Sequence, residues 1–105
     1  MPHSIIIDLK YIENFINYKV FSYGIIAKKD EFGNIEIVWE NKKVKAFADE
    51  KKLESIKEGD LVYFRGNVRK NEEKNEIKLF LDLIKKSNLK NKKTAKFIVN
   101  KFKVL

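Results

Sequence analysis

The chain has 105 residues, the length of a single domain, of which 44% are hydrophobic and 36% are charged. It contains no cysteine and one histidine, His3, which excludes a disulfide framework, a zinc–thiolate site, a thiol nucleophile and a His-paired metal site. No apolar run approaches the ~20 residues of a membrane helix, so we expect a cytoplasmic protein without a membrane partner.

The net charge of +8 is concentrated in the C-terminal quarter of the chain. Residues 1–40 have a balance of −2 and residues 41–80 one of +3, whereas residues 81–105 hold eight lysines and one aspartate, a balance of +7. This excess favours a polyanionic partner, because each cation near a phosphate backbone releases a condensed counterion. A general bias towards lysine is the alternative, since 21 of the 23 basic residues are lysine.

The first half of the chain indicates a short helix followed by three strands. The helix is capped by Asp8, and its apolar residues recur at helical spacing: Leu9, Ile12, Phe15 and Ile16. In "VFSYGIIAKK" the period changes to two, which is typical of a strand with one face formed by Val20, Ser22, Gly24 and Ile26. After the turn "DEFGN", the strands "IEIVWE" and "VKAFA" alternate in the same way, with faces formed by Ile35, Ile37 and Trp39 and by Val44, Ala46 and Ala48.

The second half indicates a short helix, a hairpin and a terminal helix. "DEKKLESIKEGD" begins with acids that suit the helix dipole and ends at Gly59. The two strands of the hairpin have faces formed by Val62, Phe64, Gly66 and Val68 and by Ile77, Leu79, Leu81 and Leu83. A Lys/Asn-rich stretch, "NLKNKK", then leads to a helix capped by Thr94, whose apolar face comprises Phe97, Ile98, Phe102 and Leu105.

This order of elements resembles that of the OB fold, a five-stranded Greek-key barrel used to bind oligonucleotides. The stretches "VFSYGII" and "GDLVYFRGNV" resemble paired signatures of OB domains of the anticodon-binding and replication protein A type, in which apolar alternation runs into a glycine. The resemblance implies an all-β fold and one domain over residues 1–105, with the barrel in residues 20–86. It also implies a short helix between the third and fourth strands, and we expect a lysine-rich, helical extension in residues 87–105.

The resemblance further implies which side chains lie on the outer surface of the barrel and in its two ligand-gripping loops, where stacking rings and cations are needed. The candidate nucleic-acid-binding residues are Phe21, Tyr23, Lys28, Lys29, Phe32, Trp39, Lys45, Phe47, Tyr63, Arg65, Arg69, Lys70 and Lys74. Lys78 and Phe80 are also expected to face outward. For Phe21, Phe47 and Phe80 the alternative is burial beneath the terminal helices. For Trp39 the core is favoured over a stacking platform, because its partners in the alternation are apolar.

The function predicted is binding of single-stranded nucleic acid, DNA rather than RNA, with low sequence specificity. Catalytic residues, metal ligands, cofactors and a small-molecule substrate are not indicated, because the acids are typical of solvated loops and no phosphate-binding or dinucleotide motif is present. The alternative is an adaptor subunit of a replication, telomere-like or RNA-processing assembly, joined to a protein partner through the apolar face of the C-terminal segment. The interpretation favoured for that face is that it closes one end of its own barrel.

Overall fold

The computed structural model of the chain describes residues 5–87, in which six strands and two 3₁₀ helices follow one another. The strands are β1 (Ile5–Ile6), β2 (Lys19–Lys29), β3 (Asn34–Trp39), β4 (Lys42–Phe47), β5 (Leu61–Asn71) and β6 (Glu76–Lys86). The first 3₁₀ helix, Leu9–Phe15, connects β1 to β2, and the second, Glu50–Leu53, lies between β4 and β5. The C-terminal helix predicted to begin at Thr94 lies outside the described residues.

Five of the strands close into a barrel in the order β2–β3–β4–β6–β5, and β5 pairs back onto β2. All neighbours in the barrel are antiparallel except β4 and β6, which are parallel. This is the OB fold, so the predicted all-β class and five-stranded Greek-key barrel are confirmed. The sequence did not predict β1, which pairs in parallel with Val20 and Phe21 and is too short to show an alternation.

The barrel interior is formed by the alternating positions of β2 to β5, as predicted. The buried residues are Val20, Ser22, Gly24, Ile26, Ile35, Ile37, Trp39, Val44, Ala46, Ala48, Val62, Phe64, Gly66 and Val68. Ile7, Leu9 and Ile12 of the segment between β1 and β2 join the same core, as do Leu53 and Ile56 of the β4–β5 connection. The confirmed faces follow directly from the two-residue period of a strand.

In β6 the prediction for Leu83 is wrong because the strand contains a bulge. The register with β5 shifts between Arg65, which is opposite Leu83, and Gly66, which is opposite Leu81. Asp82 is therefore an extra residue, and the alternation changes phase beyond it. Leu79, Leu81 and Ile84 are buried, whereas Leu83 is only half-buried.

Both predicted short helices are present as 3₁₀ turns with aspartate caps. Asp8 accepts a hydrogen bond from Lys10 N at 3.1 Å, and Asp49 accepts one from Lys51 N at 2.9 Å. The second helix is shorter than the sequence indicated, since Leu53 ends it and the chain then turns before β5. Neither of these helices, nor any other within residues 5–87, is long and apolar enough to cross a membrane.

Candidate nucleic-acid interface

Two phenylalanines and a lysine meet on the outer face of the barrel where β4 and β6 run side by side. The parallel register places Phe47 opposite Phe80 and Lys45 opposite Lys78. The Phe47 and Phe80 ring centroids are 6.4 Å apart, and Lys78 Nζ lies 5.9 Å from the first centroid and 5.8 Å from the second. The ammonium is therefore almost equally distant from the two rings. The Phe47 side chain is 39% exposed and that of Phe80 is 42% exposed. We call Phe47, Phe80 and Lys78 the aromatic–lysine cluster.

The β2–β3 loop holds a third exposed ring beside this cluster. Phe32 is 68% exposed, and the next residue, Gly33, has a φ of +95°. A Cβ at Gly33 would lie 3.0 Å from Phe47 Cε1, so the Phe47 ring rests against the loop. The loop is closed by Asp30, whose Oδ1 accepts hydrogen bonds from Phe32 N at 2.8 Å and Asn34 N at 3.0 Å.

Two grooves cross the same side of the barrel, and Lys45 lines both of them. The first groove, of about 650 Å³, crosses β2, β3, β4 and β6 and is lined by Lys28, Asn34, Glu36 and Lys78 among others. The second, of about 480 Å³, lies between the first 3₁₀ helix, β4 and the β5–β6 hairpin, and includes Lys70. Together they form a path from the β2–β3 loop to the hairpin, which is where OB domains hold oligonucleotides.

The lysines of β4 are paired with glutamates along this path. Lys42 is paired with Glu13 and Lys45 with Glu76, while Lys43 Nζ lies 3.7 Å from Glu36 Oε1. Hydrogen bonding and charge from Lys42 lower the pKa of Glu13, and the same interactions from Lys45 lower the pKa of Glu76. Lys28, Lys70 and Lys74 form no salt bridge within residues 5–87. These three exposed ammonium groups are accessible to an anionic ligand.

Of the predicted site residues, six lie along this path or at its edge. Phe32 and Phe47 lie at the β2–β3 loop, Lys28, Lys29 and Lys45 line the first groove, and Lys70 lines the second. Lys74 is exposed in the β5–β6 turn. The sequence therefore identified the loop and strand positions that the fold brings together here.

The prediction that Tyr23 lies on the outer surface is wrong, because its side chain is 4% exposed. The segment after β1 runs beside this part of β2: Ile7 N donates to Phe21 O at 3.0 Å, and Ser22 Oγ donates to Ile7 O at 2.7 Å. The Tyr23 ring packs edge-on against Trp39, with centroids 4.5 Å apart, and burial raises the pKa of its hydroxyl. Trp39 is 2% exposed, which confirms the core interpretation and leaves no free ring face for a base.

Besides Lys45, two further predicted cations are engaged within the fold. Lys29 Nζ donates to the carbonyls of Leu53 and Ile56 at 2.6 and 2.7 Å, so this ammonium ties β2 to the β4–β5 connection. Arg65 Nε donates to Asp82 Oδ1 at 2.9 Å, on the β6 bulge. Neither contact was predictable from alternation, which gives the side of a strand but not the reach of a long side chain.

The remaining predicted residues do not belong to the aromatic–lysine cluster, although Arg69 lies opposite Lys78 in the β5–β6 register. Phe21 and Tyr63 are half-buried and stack on each other across β2 and β5, with centroids 5.9 Å apart and ring planes at 25°. Arg69 is exposed on β5, and its Nη1 lies 3.4 Å from Asn17 Oδ1. The stacked pair therefore lies on β2 and β5, whereas the aromatic–lysine cluster lies on β4 and β6.

Sequence reasoning missed four residues of the interface. Lys78 and Phe80 were expected to face outward but were not assigned to the site, and Asp30 and Asn34 were interpreted only as a turn. The parallel register that places Lys78 beside Phe47 depends on long-range pairing. The spacing of Asp30, Gly33 and Asn34 did carry a local signal, since an aspartate that starts a turn commonly accepts backbone hydrogen bonds within it.

Comparison with protein-family models gives no match to this chain, and comparison with curated protein sequences gives none either. Among solved structures, the chain is similar to the telomere capping protein Ten1 from S. pombe, with 14% identity, a TM-score of 0.74, and coverage of 95% of this chain and 97% of that one. It is similar to U. maydis replication protein A bound to ssDNA, with 11% identity, a TM-score of 0.71, and coverage of 95% and 89%. A chain of the S. pombe Stn1–Ten1 complex matches with 13% identity, a TM-score of 0.72, and coverage of 95% and 91%. These likenesses show a shared fold.

Proposed function

We propose that the chain binds single-stranded nucleic acid, DNA in preference to RNA, across the outer face of β3, β4 and β6. The observation that carries the proposal is the aromatic–lysine cluster, with exposed Phe32 beside it and a groove crossing four strands next to it. Single-strand binding needs ring faces for the bases and cations along the backbone. Both are supplied here within one short stretch of the surface.

The cluster favours low sequence specificity. A base stacks on an aromatic ring through its π-face, which every base has, so the interaction discriminates little between sequences. The planes of Phe47 and Phe80 are inclined at 51° to each other. Two successive bases that stack on these rings therefore cannot remain parallel, which suits an unpaired, flexible strand better than a duplex.

Long-range attraction in this proposal comes mainly from the C-terminal segment. Residues 88–105 hold six lysines and no acid, which leaves the described barrel with a balance of +2. A nearly neutral barrel attracts a phosphate backbone weakly from a distance, and its contribution is short-range stacking. The lysines add a salt-dependent term through counterion release.

The solved structures support the proposal through the fold they share with this chain. The similar structure of replication protein A is bound to ssDNA. Its likeness supports a single-stranded DNA ligand for this chain and a role in an assembly that handles such DNA.

A second candidate function is a protein-binding subunit of such an assembly. The pairing of Lys42, Lys43 and Lys45 with glutamates favours it, because a groove of alternating charge also suits a protein surface. The likeness to a chain of the Stn1–Ten1 complex supports it in the same way. In this case the aromatic–lysine cluster would anchor a partner rather than a base.

Fluorescence anisotropy with a labelled single-stranded DNA of about 12 nucleotides, within the range of OB site sizes, tests the first proposal. Phe47→Ala and Phe80→Ala should each weaken binding by about 1–3 kcal/mol. Tyr18→Ala is the matched control, since Tyr18 is an exposed ring outside both grooves, and it should leave the affinity unchanged. RNA of the same sequence should bind more weakly. Absence of binding at low salt, or equal losses for all three variants, would contradict the proposal.

A further inference from the structure

One carboxylate lies at the start of a hydrogen-bonded network that reaches both the backbone of the β2–β3 loop and the cluster lysine. Asp30 Oδ1 accepts from Phe32 N, and its other oxygen, Oδ2, accepts from Asn34 Nδ2 at 3.1 Å. Asn34 Oδ1 in turn accepts from Lys78 Nζ at 3.2 Å. The network therefore runs from Asp30 through Asn34 to Lys78, and one branch holds the loop backbone at Phe32.

The partners of Asn34 determine the orientation of its amide. An ionised carboxylate only accepts hydrogen bonds and an ammonium only donates them. The Nδ2 group must therefore face Asp30 and the Oδ1 atom must face Lys78, so both contacts require the same orientation. The hydrogen bonds from Asn34 and Phe32 also lower the pKa of Asp30, which keeps it an acceptor at neutral pH.

The network fixes the Lys78 ammonium beside the two rings of the cluster. Lys78 Nζ lies almost equally far from the Phe47 and Phe80 centroids, at 5.9 and 5.8 Å. A lysine has a flexible four-carbon stem, and holding its ammonium at one point costs rotamer entropy. The acceptor at Asn34 already restricts the Lys78 side chain in the free protein. Less rotamer entropy is therefore lost when a ligand binds, which is the effect of preorganisation.

We propose that Asp30 and Asn34 are positioning residues, which hold Phe32 and Lys78 where a base stacked on Phe47 or Phe80 and its phosphate meet them. Neither residue needs to touch the ligand. The inference rests on the proposed function and deepens it, because it names two side chains of the β2–β3 turn that hold the binding residues in place.

A double-mutant cycle in the full chain tests this inference, with binding of the single-stranded DNA measured by anisotropy. Asn34→Ala should weaken binding by about 2- to 10-fold, the effect of one hydrogen bond. In a Lys78→Ala background the same substitution should cost much less, since its effect passes through the lysine. Asn14→Ala is the control, because Asn14 is exposed on the first 3₁₀ helix and lines neither groove.

A second readout needs no ligand. In the free protein the ε-methylene protons of Lys78 should show ring-current shifts from Phe47 and Phe80, and Asn34→Ala or Asp30→Ala should move these signals towards random-coil values. Intact far-UV circular dichroism shows that each variant is folded.

The possible outcomes separate the inference from the proposed function. If Lys78→Ala weakens binding but Asn34→Ala has no effect, or the two losses simply add, the positioning role is overturned and the proposed function stands. Tighter binding by Asn34→Ala would also overturn it, since the network would then restrain Lys78 rather than present it. A folded wild-type chain that binds no DNA at low salt overturns the proposed function, and the positioning role falls with it.

Discussion

At the scale of single residues, Gly33 fixes the β2–β3 loop. Its φ is +95°, and a Cβ there would lie 2.2 Å from Ala48 O, so the position excludes a side chain both by conformation and by space. Gly59 has a similar φ of +92° but open space around it. The two glycines therefore separate the cost of backbone strain from the cost of a clash.

We predict that Gly33→Ala destabilises the protein clearly more than Gly59→Ala. The second substitution should cost about 1–2 kcal/mol, which is the strain of an L-residue in the left-handed region. Gly33→Ala introduces the same strain and must also displace the Ala48 carbonyl. Chemical denaturation of both variants measures the difference. Equal losses would show that the loop relaxes around the added methyl group.

The Lys45–Glu76 pair should make the stability of the fold depend on pH. The hydrogen bond and charge of Lys45 lower the pKa of Glu76 from its ordinary value. A pKa that is lower in the folded state means that the pair stabilises the fold above the unfolded pKa, and that this contribution is lost as pH falls through the folded value. An NMR titration of the side-chain carboxyl should show the lowered pKa, and Lys45→Met should raise it. An unchanged pKa in that variant would contradict the pairing.

The sequence predicted the inward residues well and the outward ones only in part. Inward positions follow from strand period and burial, so the inward faces predicted for β2 to β5 were correct. Tyr23 was misplaced because its ring packs against Trp39 of β3, and Lys29 because its stem reaches two distant carbonyls. Such contacts depend on which elements meet in space, and the local sequence pattern does not predict these long-range contacts.

At the scale of elements, the bulge in β6 decides which residues of that strand face the core. Asp82 is the extra residue, and it accepts hydrogen bonds from Lys19 Nζ at 2.7 Å and Arg65 Nε at 2.9 Å. Ile84 thereby replaces Leu83 as the buried residue. A single inserted residue leaves the apolar composition of a strand unchanged, which is why the sequence did not indicate it.

We predict that Ile84→Ala costs about 2–4 kcal/mol of stability, because it empties a buried site. Leu83→Ala is the matched control and should cost clearly less, since Leu83 is only half-buried. Denaturant midpoints of the two variants provide the comparison. A larger loss for Leu83→Ala would restore the simple alternation and contradict the bulge.

At the scale of the whole molecule, charge and stacking surface lie in different parts of the chain. The exposed rings of Phe32, Phe47 and Phe80 belong to the barrel, whereas six of the eight units of net charge belong to residues 88–105. The overall fold was predictable because order of elements and glycine placement both agreed with one barrel. We propose that the lysines of residues 88–105 supply the salt-dependent attraction and that the rings of the barrel supply the stacking, which can be tested directly.

Replacing the six lysines of residues 88–105 by glutamine should flatten the dependence of log affinity on log salt. Each lysine that contacts a phosphate of a single strand contributes about 0.7 to that slope. Phe47→Ala should instead lower the affinity and leave the slope nearly unchanged, since stacking releases no counterion. Anisotropy titrations at several salt concentrations measure both. A glutamine variant that keeps the full slope would show that the segment makes no backbone contacts.

The face that binds is the central claim, and an NMR chemical-shift map of the full chain with a short single-stranded DNA tests it most directly. The account predicts the largest shift changes at Phe32, Asn34, Phe47, Lys78 and Phe80, on the outer face of β3, β4 and β6 and the loop beside it. Tyr18 and the stacked pair on β2 and β5 should change little. Changes centred on that stacked pair, or no changes at low salt, would contradict the account.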